Sequence, residues 1–223
     1  MDAIDIEKKA AADAAADLVE DGMLVGLGTG STVAFLLDAL AARSLSIRCV
    51  STSPRTEEIA RRLGLTVLSF EGLEGVAHLD MAIDGADQVD PQGWIVKGGG
   101  AAHTREKCVA AAADRFVVIA SADKMVEQLI APIPLELLEF GLAATVRGMA
   151  DRGIGEVRLR EVRRSPDGGV IADLYGPIGD PAELDTELAQ MPGVIDHGLF
   201  APSMTERVVV ADGTDVRHLL ISG

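Results

Sequence analysis

The densest chemistry in this 223-residue chain lies in one short run, Lys97-Gly98-Gly99-Gly100-Ala101-Ala102-His103-Thr104-Arg105-Glu106. Three consecutive glycines inside a folded domain cost backbone entropy, so the run points to close approach of backbone amides to a ligand. Lys97 can donate to an oxyanion or an alkoxide. The next helix is expected to start near His103 or Thr104, which puts Glu106 in its first turn. Two readings of Glu106 are open at this point. A first-turn glutamate caps its helix and complements the helix dipole. A carboxylate facing a partly dry pocket can instead act as a general base. His103 either contacts a substrate or is a polar helix start.

Two other segments carry chemistry of the same kind. Asp84-Gly85-Ala86-Asp87 places two carboxylates three residues apart, directly after the apolar Met81-Ala82-Ile83. It is either an Asp-Gly turn followed by an Asp cap or a pair that hydrogen-bonds sugar hydroxyls and exchanges protons with them. Asp80 and Asp90 are expected to be solvated. No His or third acid falls at metal-ligand spacing here, so no metal is expected. Gly26-Leu27-Gly28-Thr29-Gly30-Ser31-Thr32 leads from an apolar strand into a helix whose N-terminal amides suit an anion. Ser31 and Thr32 add hydroxyl donors. The loop nearly fits a dinucleotide fingerprint, but the next strand ends Val50-Ser51-Thr52-Ser53, with no acid to hold a ribose. A Walker loop needs a lysine before Ser31 and has none. A plain turn and a phosphate monoester site remain.

The charge balance limits the partners. Lys and Arg number 20 against 35 Asp and Glu, a net charge of −15. Such a surface repels nucleic acid and anionic membranes, and neither is expected as a partner. It repels a phosphorylated substrate at long range too, so a phosphate site must rely on local donors. No apolar run reaches the roughly 18–20 residues that cross a bilayer. Met1 to Lys9 carries mixed charge and leads into no apolar stretch, unlike a signal peptide. Cys49 and Cys108 have no CxxC spacing and are expected to be reduced core thiols of a cytoplasmic protein.

These segments need a scaffold that brings them together. Hydrophobic residues make up 48% of the chain but aromatics only 3%, which favours helices packed on a Val/Ile-rich sheet. Helical patterns are expected over 4–19, 31–43, 54–63 and 103–114. Strand patterns fall at 23–27, 47–50, 65–70, 79–83, 94–96 and 116–120. This alternation predicts an α/β fold: a mostly parallel, Rossmann-like three-layer sheet domain with helices on both faces. Ligands bind such sheets beyond the carboxyl ends of the strands. Gly28–Thr32, Ser51–Ser53, Asp84–Asp87 and Lys97–Gly100 each follow a strand, so four loops are expected at one edge of one sheet.

After about Ala131 the pattern changes, and Pro132 and Pro134 interrupt it. A helix over 139–151, strands at 156–159 and 170–174, a helix over 181–190 and a strand at 194–199 make most of a smaller ferredoxin-like α+β layer. The expected division is a catalytic domain of residues 1–129 and 205–223 and a small domain of 130–204, with 207–211 returning to the first sheet.

Together these motifs resemble one family, ribose-5-phosphate isomerase of type A. The matching pieces are Gly-Leu-Gly-Thr-Gly-Ser-Thr at 26–32, Ser-Thr-Ser at 51–53, Asp-Gly-Ala-Asp at 84–87, Lys-Gly-Gly-Gly-Ala-Ala at 97–102 and Thr-Arg-Glu-Lys at 104–107. Ala122-Asp123-Lys124, Pro192-Gly193-Val194 and Gly198-Leu199-Phe200 extend the likeness over nearly the whole chain. The resemblance implies interconversion of ribose 5-phosphate and ribulose 5-phosphate without cofactor or metal. It implies that Glu106 is the base moving a proton between C1 and C2, and that Asp84 and Lys97 assist ring opening and proton exchange at the oxygens. Asp87 would hold hydroxyls, with Gly85, Ala86, Gly98, Gly99 and Gly100 lining the sugar. Thr29, Gly30, Ser31 and Thr32, with Lys124 and Lys8, would take the phosphate. It further implies a homodimer or homotetramer. His103 stands where many relatives are expected to carry an apolar residue. The rival readings are an amino-sugar-phosphate deaminase, a sugar-phosphate sensor and a CoA-transferase-like protein. The first lacks its catalytic motifs here, the second lacks a DNA-binding segment, and the third rests on fold alone.

Overall fold

The computed structural model describes residues 1–221, and the chain folds as two units. The first comprises Met1–Ala86, Arg105–Met125 and the chain from Pro202 onward; the second comprises Asp87–Thr104 and Val126–Ala201. The sequence places its divisions at 129/130 and 204/205 and keeps 87–104 with the larger part. In the structure the crossings fall at 125/126 and 201/202, and 87–104 groups with the second unit. Residues 222 and 223 of the expected first domain lie outside the described residues.

The first unit is built on α1 (Ala3–Ala16), β1 (Leu24–Leu27), α2 (Ser31–Ala42), β2 (Arg48–Ser51), α3 (Pro54–Arg62), β3 (Thr66–Val67) and β4 (Met81–Gly85). In chain order there follow β5 (Gln88–Val89) and β6 (Ile95–Val96), which belong to the second unit, and then α4 (His103–Ala111) and β7 (Phe116–Ser121). Seven strands form one sheet, completed by β13 (Arg207–Asp212) and β14 (Asp215–Leu220), in the order β14-β13-β7-β4-β1-β2-β3. All neighbours are parallel except β14, an antiparallel edge strand that the sequence did not reveal.

Alternate residues of these strands point to opposite faces. Val25, Leu27, Met81, Ile83, Val117, Ile119 and Val209 share one core with Ala11, Ala12 and Ala15 of α1, Leu36, Leu37 and Leu40 of α2, and Ala60 of α3. The small alanines let α1 lie close against its neighbours, which explains an aromatic-poor core. Helix α4 covers the other face. A Cβ on Gly26 of β1 would sit 2.4 Å from Val109 of that helix, so the glycine is what lets α4 approach. Chain order runs outward through β1, β2 and β3, then restarts at β4 on the opposite side of β1. The sheet therefore has its topological switch between β1 and β4, the place where open α/β sheets bind ligands.

The second unit holds β8 (Ile133–Leu137), α5 (Leu142–Asp151), β9 (Glu156–Leu159), β10 (Val170–Tyr175), α6 (Pro181–Ala189), β11 (Val194–His197) and β12 (Leu199–Phe200). Four of its strands form an antiparallel sheet in the order β11-β8-β10-β9. This is the full strand-helix-strand-strand-helix-strand pattern, one strand more than the sequence indicated. The missed strand is β8. Pro134 lies within it, and a proline inside an apolar run argues against a central strand. The carbonyl of Pro134 still accepts the Gly198 N–H at 2.7 Å. A separate three-stranded sheet joins β12, β6 and β5.

That last sheet overturns one expectation. The Lys97–Gly100 run follows β6, which pairs with β5 and β12 and not with the seven-stranded sheet. So the four loops do not share one sheet edge. A two-residue strand carries too little pattern to reveal its partner. Two smaller expectations also fail. Asp90 is buried, accepting the Gln92 and Trp94 amides at 2.9 Å each in a tight turn. Cys108 is exposed, whereas Cys49 is buried and its thiol is pushed up to about 12 by desolvation.

Candidate active site

In the first unit, the switch point joins the glycine loop to Asp84. The Gly28 N–H bonds the Ile83 carbonyl at 3.0 Å, and the Thr29 N–H donates to Asp84 Oδ1 at 3.0 Å. The Gly85 N–H adds a second donor to the same oxygen at 2.7 Å. Asp84 ends up 3% exposed inside β4, not in a loop after it. Gly28 has room for no side chain: a Cβ there would fall 1.9 Å from the Asp84 carboxylate carbon. Thr29 Oγ1 shares a 2.7 Å hydrogen bond with the buried Thr52 hydroxyl. The N–H and the hydroxyl of Thr29 are thus both engaged in fixing the switch point.

The next residues stay open. Gly30 caps α2 at φ +127°, a backbone region that favours glycine, and no side chain caps the helix. The amides at the start of a helix have no intrahelical partners. Gly30 and Ser31 are exposed and Thr32 is half-buried. This is a helix N-terminus free to face an anion. Ser53, by contrast, caps α3, its hydroxyl accepting the Thr56 N–H at 3.2 Å, and Ser51 donates to the Ser53 carbonyl at 2.9 Å.

Glu106 is 4% exposed. It lies on the buried face of α4 with Val109 and Ala110, as three- and four-residue spacing dictates. The end of the helix is tied to the start of β4, with the Leu79 N–H donating to the Ala112 carbonyl at 2.9 Å. Val109 sits over the middle of β1 at Gly26. One turn earlier, Glu106 therefore lies toward the carboxyl ends of β1 and β4, on the side where Asp84 and the glycine loop are. A solvated first-turn cap is not what the structure shows.

Lys124 stands in a short turn (Ala122–Lys124) just past the carboxyl end of β7, 3.1 Å from Asp123. Burial pushes the Asp123 carboxyl up, but the Ser121 hydroxyl and the Lys124 ammonium outweigh it and hold the group below its ordinary range. Lys8 lies on α1, 3.9 Å from Asp5. The sequence did not reveal Glu7. Its carboxylate accepts the Ala122 N–H at 3.1 Å and the Gly213 N–H at 3.3 Å, pinning α1 beside the turn that carries Lys124. An acid within an amphipathic helix gives no sequence signal for such a role.

The second unit carries the other half of the expected residues. Lys97 is 3% exposed, its ammonium 5.7 Å from the centre of the Phe200 ring and its N–H bonded to the Gly198 carbonyl at 2.8 Å. Asp87 accepts the Gly99 N–H at 2.7 Å. The amides of the glycine run are therefore not all available to a ligand, as the sequence had suggested. Gly98 adopts φ +106°, and a Cβ there would meet His103 Nδ1 at 2.7 Å. His103 is the first residue of α4, as the helix-start reading expects, and is fully buried there. The buried Glu136 accepts hydroxyl bonds from Thr104 and Ser165 and so fixes the beginning of α4. Arg160 and Asp173, also missed, support the glycine run. Among the described residues no three or more His, Cys, Asp or Glu side chains cluster as metal ligands, and no helix is long and apolar enough to cross a membrane.

A glycine turn, an open helix N-terminus and a buried carboxylate at the switch point of a parallel sheet define an α/β protein built to bind a small anionic ligand. Comparison with known proteins narrows this. The sequence model of ribose 5-phosphate isomerase A (phosphoriboisomerase A) matches residues 48–215. A ribose-5-phosphate isomerase A of Natronomonas pharaonis is 43% identical, covering 95% of this chain and 96% of its own length. One from a Caulobacter species is 44% identical, covering 95% of each. Among solved structures, ribose 5 phosphate isomerase A from Neisseria gonorrhoeae superposes with a TM-score of 0.89 at 32% identity, covering 97% of this chain and 96% of its own. A D-ribose-5-phosphate isomerase in complex with phospho-erythronic acid gives 0.90 at 32% identity, covering 99% and 100%. This chain belongs to the ribose 5-phosphate isomerase A family.

Proposed function

We propose that this chain interconverts D-ribose 5-phosphate and D-ribulose 5-phosphate through an enediolate, the aldose–ketose step of the non-oxidative pentose phosphate pathway. The observation that carries the reading is the buried carboxylate of Glu106, held toward the carboxyl ends of β1 and β4. Solved family members superpose over nearly the whole chain, and one of them is in complex with a phosphorylated sugar acid.

Glu106 takes the proton from C2 of the open aldose. Electron density moves onto the C1 oxygen; Glu106 then returns a proton to C1, and the C2 hydroxyl gives its proton up to the C1 oxygen as it becomes a carbonyl. Lys97 stabilises the oxyanion, and Asp84 moves protons between the ring and hydroxyl oxygens. Electrostatic stabilisation of this kind is strongest in a water-poor site, which the burial of all three residues supports. Asp87 holds sugar hydroxyls, with Gly85, Ala86 and the Gly98–Gly100 run lining the sugar. Gly30, Ser31 and Thr32, on the loop that Thr29 fixes, hold the phosphate together with Lys124 and Lys8.

The deciding experiment is an isomerase assay on ribose 5-phosphate with EDTA present. Turnover at the untreated rate is expected; no turnover, or loss on chelation, sinks the reading. We further propose a homodimer or homotetramer in the cytoplasm, taking a sugar phosphate and neither nucleic acid nor membrane, checked by light scattering and by localisation of the tagged protein.

A further inference from the structure

We propose that Arg160, held by Asp173, sets the conformation of the Lys97–Gly100 loop and is a positioning residue for the isomerisation. The inference rests on the functional reading above, since it assigns a support to a loop that reading uses.

A run of three glycines does not determine its own shape. Gly98 lies at φ +106°, and none of the three has a side chain that packing could hold. The conformation must be imposed from outside. Arg160 Nη1 donates to the Gly98 carbonyl at 2.8 Å and to the Gly99 carbonyl at 3.3 Å. Across a planar trans peptide the C=O of one residue and the N–H of the next point in opposite directions. Pinning the Gly98 carbonyl toward Arg160 thus turns the Gly99 N–H away from it. That N–H meets the Asp87 carboxylate at 2.7 Å. Pinning the Gly99 carbonyl turns the Gly100 N–H away from Arg160 in the same manner. One guanidinium therefore orients two successive amides of the loop that begins at Lys97.

The guanidinium is itself preset. Its Nε and Nη2 form a two-point fork with the Asp173 carboxylate at 2.8 and 2.6 Å, and its backbone N–H bonds the Ile171 carbonyl at 3.0 Å. The side chains of the pair are 17% and 15% exposed. The Asp173 hydrogen bond, opposed by burial, raises the guanidinium above its ordinary range, and the charge of Asp87 adds to this. A lysine has no planar fork and cannot hold a carboxylate at two points while bonding two carbonyls.

The test compares Arg160→Met, Arg160→Lys, Asp173→Asn and the Arg160→Met/Asp173→Asn double variant. Isomerase kcat and KM are measured well below each melting temperature. Arg160→Met is expected to lose about 10- to 100-fold in kcat, as small misplacements at reacting groups do, with KM within about threefold. Arg160→Lys, which keeps the charge, should lose nearly as much. The double variant should be no worse than Arg160→Met, because the two residues act as one unit. Millimolar guanidinium added to Arg160→Ala should recover kcat without restoring the melting temperature, a readout that a purely structural tie does not move. The inference is overturned if kcat stays within about threefold of wild type while only the melting temperature falls, or if the two single losses multiply. Wild-type protein inactive on ribose 5-phosphate overturns the functional reading instead.

Discussion

A Cβ on Gly28 would stand 1.9 Å from the carboxylate carbon of Asp84, so the position of the acid depends on a side chain that is absent just past the end of β1. Gly28→Ala should push the carboxylate off the Thr29 and Gly85 amides. Overpacking of this kind costs about 1–3 kcal/mol, and kcat should fall with it. Gly64→Ala is the comparison. Gly64 has φ +86° with nothing within 4 Å of its Cβ position. That variant should lose about 1 kcal/mol and keep its kcat. Denaturant melts and steady-state kinetics on both variants separate clash from backbone strain.

Glu106→Gln keeps the shape of the side chain and removes its basicity. A general base contributes about 10²–10⁴-fold, so kcat should fall by that order while KM changes little. Exchange of the C2 proton of the substrate with solvent deuterium should stop in parallel. Near-normal turnover in this variant would return Glu106 to a structural role.

Glu7 joins α1 to two other segments by accepting the Ala122 and Gly213 amides. Glu7→Ala leaves both donors without that acceptor and should cost about 1–3 kcal/mol. It should also raise KM more than it lowers kcat, because Lys8 and Lys124 sit on the segments it joins. An unchanged KM for ribose 5-phosphate would separate Glu7 from phosphate binding.

The acid limb of stability should carry the mark of Glu206. Its carboxyl is held below the ordinary range by the Arg115 hydrogen bond, against the effect of burial, with further help from Arg207. A group depressed in the folded state stabilises fully above its unfolded value, about 4.3 for Glu. That stabilisation is lost as pH falls through the lower folded value. The difference in unfolding free energy between wild type and Glu206→Gln should be flat above about pH 5 and shrink on further acidification, by no more than about 1 kcal/mol for so accessible a pair. Urea melts from pH 3 to 7 check the sign; a difference that grows on acidification contradicts it.

Much of this molecule was legible in its sequence, and the failures have physical causes. Strands such as Phe116–Ser121 and helices such as Pro54–Arg62 announce themselves by apolar runs, a Pro in the first turn and a Ser cap. Gly28–Thr32, Asp84 and Glu106 each allowed a plain structural reading on their own, and the likeness of all the motifs, in order, to one family is what singled them out. Pro134 concealed β8, because a central strand seldom tolerates proline. The partner of Ile95–Val96 was hidden because two residues carry no register information. Glu7, Glu136 and the Arg160–Asp173 pair were invisible for another reason. Each supports a site residue far away in sequence, and no local pattern reports a contact between residues 98 and 160.

The chain passes between its two units four times, at 86/87, 104/105, 125/126 and 201/202. During synthesis, β1, β2, β3, β4 and β7 leave the ribosome before residue 125, yet β7 pairs with β4 on one edge only, and its other parallel partner is β13, at Arg207–Asp212. The nascent sheet thus waits with an unpaired Val-rich edge while the whole second unit is made. Long-range parallel pairing is intrinsically slow and aggregation-exposed. A ribosome stalled beyond residue 125 but before 207 should therefore hold a protease-sensitive, chaperone-bound intermediate. No single cut in the gene yields either unit whole.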